Sequence, residues 1–133
     1  MSAIHHIAIA VHNLDAALAF YRDALGLGMT ERREVPEEGG EIAFLPAGEG
    51  EIELLQPLSE GGGVARFLEK RGEGLHHICL QVDDIEAAME RLRSAGARLL
   101  SEEPRVGTSG TRYVFVHPKS AHGVLLELYE VAE

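Results

Sequence analysis

The segment Ile4-His5-His6-Ile7-Ala8-Ile9-Ala10-Val11 returns 71 residues later as Leu75-His76-His77-Ile78-Cys79-Leu80-Gln81-Val82. The same offset aligns Asn13 and Leu14 with Asp84 and Ile85, Ala16 and Ala17 with Ala87 and Ala88, and Phe44 with Phe115. Toward the end of each half it drifts to 74, where Ile52-Glu53-Leu54 meets Leu126-Glu127-Leu128, as a three-residue loop insertion would produce. Matches that keep their order along the chain mark a duplicated half-domain. Whatever one half folds into, the other must fold into as well.

Each half opens on a run with Ile, Val and Leu at alternate positions, the period of a strand. A helix pattern follows. In the first half Asn13 caps it, Leu14, Leu18, Tyr21 and Leu25 share a face, and Gly26 or Gly28 ends it. In the second half Asp84 caps, Ile85, Met89 and Leu92 form the face, and Gly96 stops it. Three further strands are expected in each half, near 28–35, 41–46 and 51–56, then near 98–103, 112–117 and 123–130. The unit is β-α-β-β-β, twice, an α+β pattern. A Gly-rich loop at 59–63 and a short helix at 66–71 link modules of about 1–60 and 72–133. Neither module alone buries much surface, so the two are expected to form one domain over 1–133.

Composition removes several classes of function. The 133 residues carry 12 basic and 22 acidic side chains, a formal charge of −10, and 5% aromatics. Nucleic acid and anionic membrane surfaces repel such a chain. No apolar run approaches the roughly 20 residues that span a bilayer. The N-terminal residues lack the pattern of a signal peptide. Cys79 is the single cysteine, which fits a reducing cytoplasm and leaves zinc–thiolate chemistry without sulfur. Any metal must be held by His and carboxylate.

Strand parity singles out four such residues. Ile7, Ile9 and Val11 take one face of the first strand, so His6 shares the other with Ala8 and Ala10. His77 lies equivalently with Cys79 and Gln81. In the last strand of each half, Glu53 points away from Ile52 and Leu54, and Glu127 away from Leu126 and Leu128. A carboxylate among aliphatic strand formers is costly unless paired or metal-bound. Any one of these residues alone reads as solvent-facing on a half-exposed sheet. Two His and two Glu at symmetric positions form instead an N₂O₂ donor set for a divalent first-row metal. His5 and His76 have the opposite parity and are left to packing or support. His12, His117 and His122 fall in or beside loops. Glu41 shares a face with Ala43 and Leu45, and its repeat equivalent is Arg112. It reads either as a surface residue at a strand start or as a functional carboxylate, and parity does not decide.

Several longer segments are similar to a known family: Ile4-His5-His6-Ile7-Ala8, Gly74-Leu75-His76-His77-Ile78, Val82-Asp83-Asp84-Ile85, His117-Pro118-Lys119-Ser120 with Gly123-Val124-Leu125-Leu126-Glu127-Leu128, and Glu51-Ile52-Glu53-Leu54-Leu55-Gln56-Pro57-Leu58. Over about residues 4–130 the chain resembles the vicinal oxygen chelate superfamily, and within it the methylmalonyl-CoA epimerases. The resemblance implies paired βαβββ modules forming a curved, half-barrel-like mixed sheet around a metal site. It implies metal ligands at His6, Glu53, His77 and Glu127, and acid/base carboxylates at Glu41 and Glu127. The implied cofactor is a divalent ion, cobalt first, with manganese, nickel or zinc as alternatives. The implied substrate is methylmalonyl-CoA, epimerised by proton transfer at C2 through an enolate, in a cytoplasmic homodimer.

An acid-free stretch at 104–126, carrying Arg105, Arg112, Lys119, His117 and His122, could receive the anionic CoA. It could equally be a solvated loop. The competing readings are a glyoxalase I-like lyase acting on a glutathione hemithioacetal and a metal-free antibiotic-binding module of the same fold. An extradiol dioxygenase would leave Glu53 without a role.

Overall fold

A computed structural model describes residues 3–107 and 109–131. Among them, contacts divide the chain into two compact units: residues 6–76, and residues 77–131 together with 3–5. Each unit contains one module of the repeat, except that residues 3–5 of the first module's opening strand and residues 74–76 of the second module's count with the other unit, and the architecture is α+β.

The first unit runs β1 (Ala3–Ala10), α1 (Leu14–Leu18), β2 (Glu31–Val35), β3 (Gly40–Ala47), β4 (Gly50–Pro57) and α2 (Gly63–Arg71). Its strands lie in the order β2-β3-β4-β1, with β1 parallel to β4 and the other pairs antiparallel. The helix expected to link the modules is therefore α2, and it belongs to this unit. The sheet is covered on both faces. Ile9, Ile52, Leu54, Ala43 and Leu45 pack with Leu14 and Leu18 of α1. Ala10, Leu55, Ile42 and Val35 pack with Val64 and Leu68 of α2.

The second unit runs β5 (Gly74–Gln81), α3 (Ile85–Ser94), β6 (Arg105–Val106), β7 (Arg112–Val116) and β8 (Leu126–Glu130). Its order, β5-β8-β7-β6, repeats the first, again with the opening and closing strands parallel. Ile85, Ala88 and Met89 of α3 pack on Val114 and Leu128.

Two elements depart from the sequence expectation. The helix after Asn13 is α-helical only to Leu18; Ala19–Ala24 continue as a π-helix, and the Leu25 N–H reaches back five residues to the Phe20 carbonyl at 2.7 Å. The wider turn changes the phase, so Leu25 leaves the packed face and is 55% exposed. Gly26, at φ +88°, then ends the helix as expected. The strand expected at 98–103 is reduced to a bridge between Leu99 and Val116, with a two-residue strand following at 105–106. Among the described residues no helix is long and apolar enough to cross a membrane.

Candidate metal and proton-transfer site

Register shows which residues share the ligand face in the first unit. In β1, His6, Ala8 and Ala10 alternate with Ile7 and Ile9, and the first three are buried. The parallel pairing sets Ala8 beside Glu53, and the antiparallel pairing sets Phe44 opposite Glu53. Paired residues share a face. His6, Ala8, Phe44 and Glu53 therefore point the same way, opposite to α1. The small side chain of Ala8 lets the ring of His6 and the Glu53 carboxylate approach. His6 Nδ1 lies 3.2 Å from Glu53 Oε2, with the residues 2% and 3% exposed.

The second unit repeats this arrangement. Cys79 is beside Glu127, and Phe115 is opposite it. His77 Nε2 lies 3.2 Å from Glu127 Oε1, and both residues are as buried as their counterparts. The Phe115 ring meets His77 edge-on at 5.5 Å. The four residues selected by parity thus form two buried imidazole–carboxylate pairs, one in each unit.

Each pair fits a divalent metal ion. Two donors about 2.0–2.2 Å from one ion, near a right angle, lie about 3 Å apart. Neutral imidazole nitrogen with carboxylate oxygen suits first-row divalent ions. A carboxylate removed from water to this degree needs a compensating positive charge. Glu51, in register with His6, adds a second carboxyl to the ligand face of the first unit. Burial raises its pKa, while nearby His6 and a hydrogen bond with Glu53 pull it down.

Glu41 is not on this face. It pairs with Gln56, whose side chain accepts the Leu14 N–H of α1 at 2.8 Å. The Glu41 carboxylate accepts from Arg32 Nε at 2.9 Å, and Arg32 Nη1 donates to Asp15 of α1 at 2.6 Å. The resemblance gave Glu41 a proton-transfer role; the register turns it toward α1, away from His6 and Glu53. A further carboxylate that approaches is Glu38, at the end of the one-turn helix Pro36–Glu38. One of its oxygens lies within 4.8 Å of a His6 ring nitrogen. The sequence signal for it is the turn itself: Pro36 opens a single helical turn, and Gly39-Gly40 closes it.

His5 and His76 take packing roles. His5 stacks on Tyr129 at 4.5 Å, and His76 meets Phe67 of α2 at 4.9 Å. In the acid-free stretch, Arg112 is committed to Glu130 and Glu86, while Arg105 and Lys119 are exposed.

Two βαβββ modules, each with a buried His–Glu pair, define a fold of the vicinal oxygen chelate kind, and comparison with known proteins agrees. The chain belongs to the Glyoxalase/Bleomycin resistance protein/Dioxygenase superfamily, whose family model matches residues 5–115. It is 46% identical over 130 residues to the ethylmalonyl-CoA/methylmalonyl-CoA epimerase of Cereibacter sphaeroides, covering 96% of this chain and 97% of that one. The crystal structure of methylmalonyl-CoA epimerase from Mycobacterium tuberculosis superposes with a TM-score of 0.89 at 41% identity, covering 98% of this chain and 88% of that one. A methylmalonyl-CoA epimerase solved in complex with methylmalonyl-CoA and NH4+ matches with a TM-score of 0.89 at 38% identity, covering 99% and 96%.

Proposed function

We infer that the chain is a metal-dependent methylmalonyl-CoA epimerase. The observation that carries this reading is the repeated buried imidazole–carboxylate pair, His6 with Glu53 and His77 with Glu127. The pairs occur in a chain 46% identical to an epimerase over nearly its full length. In this reading the four residues are ligands of a divalent ion, with cobalt the first candidate.

C2 of methylmalonyl-CoA stands between a thioester carbonyl and a carboxylate. Its proton is removable only if the negative charge that develops on oxygen is stabilised. The ion, when bound, supplies that stabilisation as a Lewis acid. The chain's own residues do the rest. His6 and His77 donate as neutral imidazoles and so leave the ion's charge undiminished. Glu53 and Glu127 neutralise part of it, and Glu127 is also a candidate to exchange a proton at C2. Ala8 and Cys79, both fully buried, keep the sheet floor beside the carboxylates free of bulk. Exclusion of water around the pairs strengthens each charge interaction. A homodimer and a cytoplasmic setting, the latter in keeping with the single buried Cys79, complete the reading.

The test is incubation of the metal-loaded protein with one epimer of methylmalonyl-CoA in D₂O. Deuterium at C2 with inversion is the expected result. An inert protein that nevertheless turns over a glutathione hemithioacetal would move the assignment to a lyase of the same superfamily.

A further inference from the structure

Epimerisation needs a proton acceptor on one face of C2 and a donor on the other, and only Glu127 is so far a candidate for either. We propose that Glu38, not Glu41, is the second acid/base carboxylate of this chain. The proposal rests on the epimerase reading.

Four observations support it. Glu38 ends the one-turn helix Pro36–Glu38, and the turn is fixed at both ends. Upstream, Val35 is 4% exposed and packs with Ile42 and Leu55. Downstream, Gly39 sits at φ +72°, its N–H bonded to the Pro36 carbonyl at 3.0 Å, and its own carbonyl accepts the Leu58 N–H at 3.1 Å. A side chain other than hydrogen is disfavoured at that φ.

Second, Gly40 lies so close to β4 that a Cβ there would stand 2.8 Å from the Gln56 carbonyl oxygen. That contact holds the start of β3, and with it the end of the turn, close against β4. Third, Glu37 is exposed whereas Glu38 is half-buried, and Glu38 Oε1 is shielded from solvent. Of the two adjacent carboxylates, only one is turned inward. Fourth, that carboxylate comes within 4.8 Å of the His6 ring nitrogen, on the ligand face. A group there can work on substrate held at the ligands, which Glu41, bound to Arg32 on the α1 side, cannot.

The step balances as a proton exchange. The Glu38 carboxylate takes the C2 proton, and the electron pair of the broken C–H bond passes to the thioester oxygen as an enolate. The second carboxyl, protonated, then gives its proton to the opposite face of C2 and becomes a carboxylate. One turnover moves a proton from one carboxyl to the other. Turnover in the reverse direction, or exchange with water, restores the starting state.

The experiment compares wild type, Glu38→Gln, Glu38→Asp and Glu41→Gln. Metal content is measured on each, and each is incubated with (2R)- and with (2S)-methylmalonyl-CoA in D₂O. Glu38→Gln should keep its metal and lose about 10²–10⁴-fold in epimerisation. It should still place deuterium at C2 of one epimer with retention, because the remaining carboxylate can remove and return a proton on a single face. Glu38→Asp, shorter by one methylene, should recover part of the rate. Glu41→Gln should turn over like wild type. An active wild type alongside an equally active Glu38→Gln overturns the proposal and leaves the epimerase reading standing. Loss of metal from Glu38→Gln also overturns it, by making Glu38 a ligand. A wild type inert toward both epimers overturns both readings.

Discussion

At the N-terminus of α1, Asn13 accepts the Ala16 N–H and the Gln56 side chain accepts the Leu14 N–H. At the equivalent end of α3, Asp84 accepts the Ala87 N–H and Glu130 accepts the Ile85 N–H. In both units a cap residue and the end of the closing strand together satisfy the exposed amides of the first helical turn. The charges differ. The first unit uses two neutral amides and the second two carboxylates, which the helix N-terminus also favours. The guanidinium differs too. Arg32 reaches from β2 to Glu41 and Asp15; Arg112, standing where Glu41 stands in the repeat, reaches Glu130 and Glu86. Glu41 and Arg112 have opposite charge because each completes a strand-to-helix clamp from a different side. After duplication, the backbone contact is kept and the polar chemistry that supports it is free to change.

The ligand faces provide the sharpest test, because there both units keep the buried imidazole–carboxylate pair. His6→Ala and His77→Ala should each strip the metal and depress turnover. The loss in each should exceed the roughly 10–100-fold that accompanies removal of a residue merely supporting a ligand. Equal metal loss by elemental analysis supports equivalent roles, and a His6→Ala protein that retains full metal would break the symmetry.

A smaller effect is expected at the helix clamps, where the units do differ. The Ile85 N–H, and then Arg112, hold the Glu130 carboxyl below the usual glutamate range. A depressed folded pKa means that Glu130 stabilises the fold at pH values above the ordinary glutamate range. That contribution is lost as pH falls through the depressed value. Glu130→Gln keeps an oxygen for the Ile85 N–H, as Gln56 does for Leu14, but loses the charge that faces Arg112 and the helix N-terminus, so it should destabilise the protein at pH 7 by roughly 0.3–1 kcal/mol. The difference from wild type should shrink as acid is added. Denaturant melts at pH 7 and at successively lower pH would check this; a pH-independent difference would refute the charge argument. The smallest effect should separate the cap residues. Asn13→Ala and Asp84→Ala should each cost roughly 0.5–2 kcal/mol, with only the Asp84→Ala loss weakened by added salt.

Much of this organisation is legible in the sequence. The 71-residue offset, the caps at Asn13 and Asp84, and the parity of His6, His77, Glu53 and Glu127 follow from pattern alone. They do so because a ligand on a strand cannot change face without a slip in register. Four features are not legible. The π-helical turn at 19–24 requires a change of hydrogen-bond step that an apolar pattern of helical period does not report. The strand expected at 98–103 has the right residue types, but only Leu99 finds a bridging partner. Glu41 fails for a subtler reason. Alternation identifies a ligand face only where one side of a strand is covered. In β3, Ile42, Ala43 and Leu45 are all fully buried, because α1 and α2 cover opposite sides. Only the pairing of Phe44 with Glu53 tells the faces apart, and pairing is long-range information. Glu38 escapes notice because its placement depends on a turn and not on a strand.

The close seating of Gly40 on β4 has a consequence for how copies of this chain can drift. Even a methyl group at that position would press on the Leu55 side chain and the Gln56 carbonyl, moving the turn and Glu38 with it. The adjacent Glu41 only has to satisfy a guanidinium at the protein's edge, which a different pair of residues could replace. Two neighbouring positions should therefore tolerate mutation very differently, with the residue that lacks a side chain being the one that cannot change.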